Sequence, residues 1–147
     1  MKALLEHLYF LAQYLSEADL ETIVALVLID LGFPAGRMPY EYLKKAIILF
    51  KENPNQLLAY ELYPDVAKMF AITSKMQVEI AIRREVHRAW KNRFEDKWYL
   101  YFPNGLTLRD TGPSNAEFIY GMIQVLEIWE GCRDNYTKKA GVQNEEK

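Results

Sequence analysis

Cysteine is almost missing from this chain of 147 residues. Cys132 stands alone, so no intrachain disulfide can form and a reducing cytoplasm is the expected compartment. Histidine is nearly as scarce: His7 and His87 lie far apart with no Cys/His cluster around either, which argues against a structural zinc site. The longest apolar run, Ile23 to Ile29, is seven residues, where a membrane span needs about 20. The opening MKALLEHLYF is broken by Glu6 and His7, whereas a signal peptide needs an unbroken apolar stretch and a small-residue cleavage site. No glycine-rich phosphate loop, HExxH or GxSxG occurs. Acid pairs such as Glu95-Asp96 read as surface charge, and Cys132 has no evident histidine partner. The expectation is therefore no enzyme, no cofactor, no metal and no membrane. There are no internal repeats.

What is present is apolar and aromatic. Half the residues are hydrophobic and 14% aromatic, enough for one core in one domain. Net charge is −2 and the pI is about 5.7, low for a nucleic-acid binder. The charge is unevenly spread. Residues 1–32 carry one lysine against five acids, a net of −4, whereas Ser74 to Arg93, SKMQVEIAIRREVHRAWKNR, carries six Lys/Arg against Glu79 and Glu85, a net of +4. Ser74 and Gln77 have capping-box spacing. Val78, Ile82, Val86 and Ala89 fall on one helical face, which Trp90 widens. Met76, Ile80, Arg83, Arg84 and His87 fall on the opposite one. Before it, YPDVAKMFAITS predicts a short helix opened by Pro64, with Val66, Ala67 and Phe70 apolar and a tight turn from Ala71. Short helix, turn and longer basic helix over about 64–91 is a helix-turn-helix pattern. An ordinary helical hairpin inside a bundle has the same pattern.

Other segments read as helices too. Residues 2–15 carry a stripe of Leu4, Leu8, Leu11 and Leu15. A second helix, capped by Ser16 or Asp19, runs from Leu20 to Gly32; Leu26 and Ile29 make it apolar on further faces, predicting a central place in the core, and its β-branched residues also allow a strand. Pro39 to about Glu52 and Gln56 to Leu62 are further helices. Trp98 to Phe102, Pro103-Asn104-Gly105 and Leu106 to Leu108 read as a short β-hairpin over about 97–108. Ser114 and Glu117 form a second capping box, opening a last helix that ends at Gly131. The predicted architecture is mainly all-α: six or seven helices in one domain over 1–132, with a disordered tail at 133–147.

The pieces LIDLGFPAGRMPYEYLKKAI, LYPDVAKMF, AIRREVHRAW and GPSNAEF follow one another between Leu28 and Phe118. In this order the chain resembles, over about 28–129, the C-terminal DNA-binding effector domain of the sporulation master regulator of endospore-forming bacteria (stage 0 sporulation protein A). The resemblance implies an all-α domain whose helix-turn-helix reads a short promoter box, and a short helix and loop where the hairpin is predicted. Two departures accompany it. The family's regulator has a phosphoacceptor receiver ahead of this domain, and the residues before Leu28 are too few for one. The family has an arginine where Val78-Glu79-Ile80 places Ile80, and one extra residue is needed between Phe70 and Val78. Arg83 matches a family arginine.

Two functional readings follow. The first is a cytoplasmic DNA-binding transcription regulator, a response-regulator effector domain without its receiver, with the basic helix in the major groove of double-stranded DNA. Lys75, Gln77, Glu79, Ile80, Arg83, Arg84 and His87 then form the face toward bases or nearby phosphates, while Arg37, Arg88, Lys91 and Arg93 hold the backbone. The second is a protein-interaction module that keeps the fold and has lost promoter reading. In either, the leucine stripe of residues 2–15 is the expected surface for a homodimer or partner protein, unless it folds back on the core.

Overall fold

The computed structural model describes residues 1–145, with side chains to Lys139. Among them are seven α-helices and no strand: α1 (Lys2–Leu15), α2 (Leu20–Asp30), α3 (Met38–Glu52), α4 (Tyr63–Met69), α5 (Lys75–Lys91), α6 (Glu95–Tyr101) and α7 (Asn115–Glu145), with a π-helical turn at Leu58–Leu62. The long α7 is the spine. It packs on α1, α2, α3 and α5, and α5 also lies against α3 and α4.

Helix starts follow local chemistry. Asp19 caps α2 through the Thr22 amide, and Ser114 and Glu117 form both halves of the capping box at α7, with bonds of 3.0 and 3.1 Å. At α5 the expected box is replaced by a simple cap: the Ser74 hydroxyl accepts from the Met76 amide at 3.2 Å, the Gln77 amide donates to the Ser74 carbonyl, and Gln77 stays exposed. Two helices end in the same way. After α2, the Gly32 amide donates to Ile29 and the Phe33 amide to Leu28; after α4, the Ala71 amide donates to Lys68 and the Ile72 amide to Ala67. Both are Schellman motifs, which need a left-handed residue. Gly32 takes φ +96°, and Ala71, the one non-glycine with positive φ among the described residues, takes φ +55°.

Three expectations change. The hairpin at 97–108 does not form. Trp98, Tyr101 and Phe102 are all buried while Tyr99 is 70% exposed; that is a helical spacing, and a strand would send Trp98 and Tyr101 to opposite faces. Trp98 also donates from its indole nitrogen to the Leu31 carbonyl at 3.1 Å. The Asn104-Gly105 turn survives, with Gly105 at φ +80°, but Leu108 beyond it is fully exposed. Secondly, α2 is helical yet one-sided: Ile23, Val24, Val27 and Leu28 are buried, whereas Leu26 and Ile29 face outward. Thirdly, α7 does not stop at Gly131 but continues to Glu145, through most of the segment read as a disordered tail. The end of that segment, 146–147, lies outside the described residues.

The continuation of α7 gives α1 its partner. Leu4, Leu8 and Ala12 are buried, and Tyr9 meets Tyr136 edge to face at 6.4 Å. The leucine stripe thus folds back onto its own chain, with Leu11 and Leu15 partly buried at its edge. A polar chain fastens α1 as well. His7 Nε2 donates to the Tyr101 hydroxyl at 3.0 Å, Tyr101 donates to Asp30 at 2.6 Å, and Lys97 pairs with Asp30 at 3.0 Å.

Candidate nucleic-acid interface

The basic segment folds as α5, following α4 across the turn at 70–74. Val78, Ile82, Val86 and Ala89 are buried, so the predicted inner face is the inner face. The opposite side presents Met76 (58% exposed), Arg84, His87 and Lys91, all exposed, with Ile80 half-buried among them. Lys75 and Gln77 are exposed at the first turn, and the Lys75 ammonium lies 4.8 Å from the centre of the Tyr60 ring.

Each rim of this face meets a loop. On one side Glu79, Arg83 and His87 border an open cleft of about 510 Å³, whose far wall is Arg109 and Thr111 to Ala116. Arg83 pairs with Glu79 one turn back at 3.3 Å. His87 Nδ1 lies 3.3 Å from the Thr111 carbonyl, to which it donates, and Asn115 donates to the Glu79 carbonyl at 3.1 Å. Arg109 pairs with Glu117. Within the cleft, burial first of all raises the pKa of Tyr63, keeping a neutral hydroxyl there. The Trp90 indole donates to the Asp110 carbonyl at 3.1 Å, and Gly112, at φ +96°, lies so close that a Cβ on it would stand 2.6 Å from the Trp90 ring.

On the other rim, Glu85 is buried at 4% exposure. Both of its oxygens accept from Arg88 Nη2 at 3.0 Å, and Arg37 Nη1 approaches at 3.9 Å. Arg37 and Arg88, far apart in sequence and assigned the same role from it, are thus brought to one carboxylate. Arg93 is differently placed. Its guanidinium stacks 3.8 Å from the Trp90 ring centre and donates to the Trp90 carbonyl at 2.8 Å and to Glu95 at 3.1 Å. That is an internal fastening between α5 and α6. Of the cations on α5, Lys75, Arg84 and Lys91 make no ion pair among the described residues.

Sequence reasoning did not single out two groups here. Arg109 lies outside the basic segment and faces Arg83 only through the fold. Glu85 was counted as a charge; its position on the Val78–Ile82–Val86–Ala89 side was the available sign that it would be buried.

The arrangement is a short helix, a turn and an exposed, cation-bearing second helix flanked by two loops. Among the described residues no group of side chains could hold a metal ion, and no helix is long and apolar enough to cross a membrane. The family model described as the C terminal of sporulation initiation factor Spo0A matches residues 24–126.

Proposed function

The chain belongs to the sporulation initiation factor Spo0A C-terminal family, a family of DNA-binding regulatory domains, and from that membership we propose that it regulates transcription by laying α5 in the major groove of double-stranded DNA. The observation that carries this reading is the outward face of α5. Arg84 and Lys91 stand there without carboxylate partners among the described residues, beside Gln77, on a chain that is otherwise acidic. Arg84 and Gln77 have the donor geometry for guanine and adenine, and Met76 and Ile80 suit thymine methyl groups. Arg83 reaches bases by releasing Glu79. Lys91, with Arg37 and Arg88, contacts phosphates, which orient the helix without specifying sequence.

The test is a mobility-shift titration at low salt on random duplex and on the family's promoter box, with Arg84→Ala and Arg83→Ala. Retained binding with relaxed preference supports base reading; no complex with any duplex overturns it. The second reading, a protein-interaction module, is favoured by one specific feature. The apolar Met76 and Ile80 occupy the N-terminal part of the outer face while Arg83 is held by Glu79. On that reading the same titration gives no complex.

A further inference from the structure

We propose that Glu85 is a positioning residue for the DNA backbone: a buried carboxylate that sets Arg37 and Arg88 side by side as one phosphate clamp. The inference rests on the DNA-binding reading above.

The geometry is unusual for an ion pair that only stabilises the fold. A buried carboxylate with cationic partners contributes little net stability, since desolvation offsets the attraction. Glu85 nevertheless sits at 5% side-chain exposure, while its partners stay open to solvent, Arg88 at 42% and Arg37 at 52%. It engages one nitrogen of each guanidinium: Nη2 of Arg88 and, at longer range, Nη1 of Arg37. The remaining donors of both forks have no partner among the described residues. Two arginines against one acid leave the cluster with a net positive charge at the rim of α5. The two arise from different elements, Arg37 from the loop before α3 and Arg88 from the last turn of α5, so only a group between them can hold both. The other carboxylates on or just after α5 are engaged elsewhere: Glu79 with Arg83 and Glu95 with Arg93.

Arginine suits this task because its planar fork can give one edge to a carboxylate and another to a phosphate. Each free arginine loses rotamer freedom when it binds. Ordering both beforehand removes that cost, worth a few-fold to about tenfold in affinity.

The sign of the effect makes the test sharp. Glu85→Gln adds one positive unit to the protein, so Coulomb attraction alone tightens DNA binding. Positioning predicts the opposite. Fluorescence anisotropy with a 20-base-pair duplex between 50 and 200 mM KCl is expected to show Glu85→Gln binding roughly three- to tenfold more weakly than wild type, with the log–log salt slope reduced by about one unit. Arg88→Ala should weaken binding similarly, and the double variant should lose little more than either alone. Should Glu85→Gln fail to fold by circular dichroism, Glu85→Asp keeps the charge and withdraws the carboxylate by one methylene; weaker binding is again expected. Binding by a folded Glu85 variant as tight as wild type, or tighter, with an unchanged slope, overturns this proposal alone. A wild-type protein that binds no duplex at 50 mM KCl overturns the DNA reading and this inference with it.

Discussion

Ala71 holds a backbone conformation that glycine holds elsewhere in the same molecule. After α2 the left-handed position of the Schellman motif is Gly32, and after α4 it is Ala71. An L-residue with a Cβ is strained there by about 1–2 kcal/mol, partly offset by the greater freedom glycine has when unfolded. Ala71→Gly is therefore expected to stabilise the fold by roughly 0.5–1 kcal/mol, read as a rise in the urea midpoint at constant slope. Gly112 is the converse case. Its φ is +96° and a Cβ would collide with Trp90, so Gly112→Ala combines backbone strain with overpacking and should cost about 2–4 kcal/mol. His7 carries a prediction in pH. Burial, with Lys97 acting in the same direction and Asp30 against, lowers its pKa below 6.5. As pH falls below 6.5 the unfolded chain takes up a proton that the folded one resists, so stability falls with pH in that window. Thermal midpoints at pH 7.5 and 5.5 should differ less for His7→Gln than for wild type. Asp30 acts in a lower window. Burial alone would raise its pKa; hydrogen bonds from Tyr101 and Lys97, with the lysine charge, reverse that and hold it below 3.8. The stability it contributes is lost only as pH drops below about 4.

Among the elements, α7 departs furthest from its sequence reading, and Gly131 tests the departure. If α7 ended there, Gly131 would be a left-handed cap and alanine would destabilise. In the continuous helix it has ordinary helical φ and open space around its Cβ position. Gly131→Ala should therefore stabilise by about 0.8–1 kcal/mol, visible by chemical denaturation. The second half of α7 matters because α1 packs on it. Leu8, on α1, is fully buried, so Leu8→Ala should cost about 2–5 kcal/mol. Removing residues 1–15 should lower the thermal midpoint without changing the sedimentation coefficient from that of a monomer. A truncated protein that stays equally stable and changes its association state would instead make α1 an interface.

For the whole molecule the governing quantity is how many cations of the basic segment are free. The segment from Ser74 to Arg93 is +4 as a string of letters, but Arg83, Arg88 and Arg93 all have carboxylate partners. If the chain binds DNA as proposed, with Arg37, Arg84, Arg88 and Lys91 as the main phosphate or groove contacts, the salt slope should be shallow, roughly −2 to −4. Arg93→Ala should then lower stability and leave that slope unchanged, whereas Lys91→Ala should flatten it by about one unit with little loss of stability. Parallel denaturation and anisotropy titrations separate the two.

Much of this was legible in the residues alone. Proline at a helix start, the Asp19 and Ser114 caps, and the buried face of α5 depend on neighbours three or four positions away, and local spacing states them. The family was legible because several pieces recur in order. What local spacing could not state was decided by contacts between distant parts of the chain. Residues 97–108 carry a good turn at Asn104-Gly105, but Trp98, Tyr101 and Phe102 must all reach the core, and only a helix puts them on one side. Gly131 reads as a stop until α1 supplies a surface that makes one more stretch of helix worth its conformational entropy. Above all, the sequence determined which side chains carry charge, and the tertiary structure decided which of those charges are free. An ion pair between Arg37 and Glu85 depends on where two separate elements come to rest, and no periodicity along either element records that.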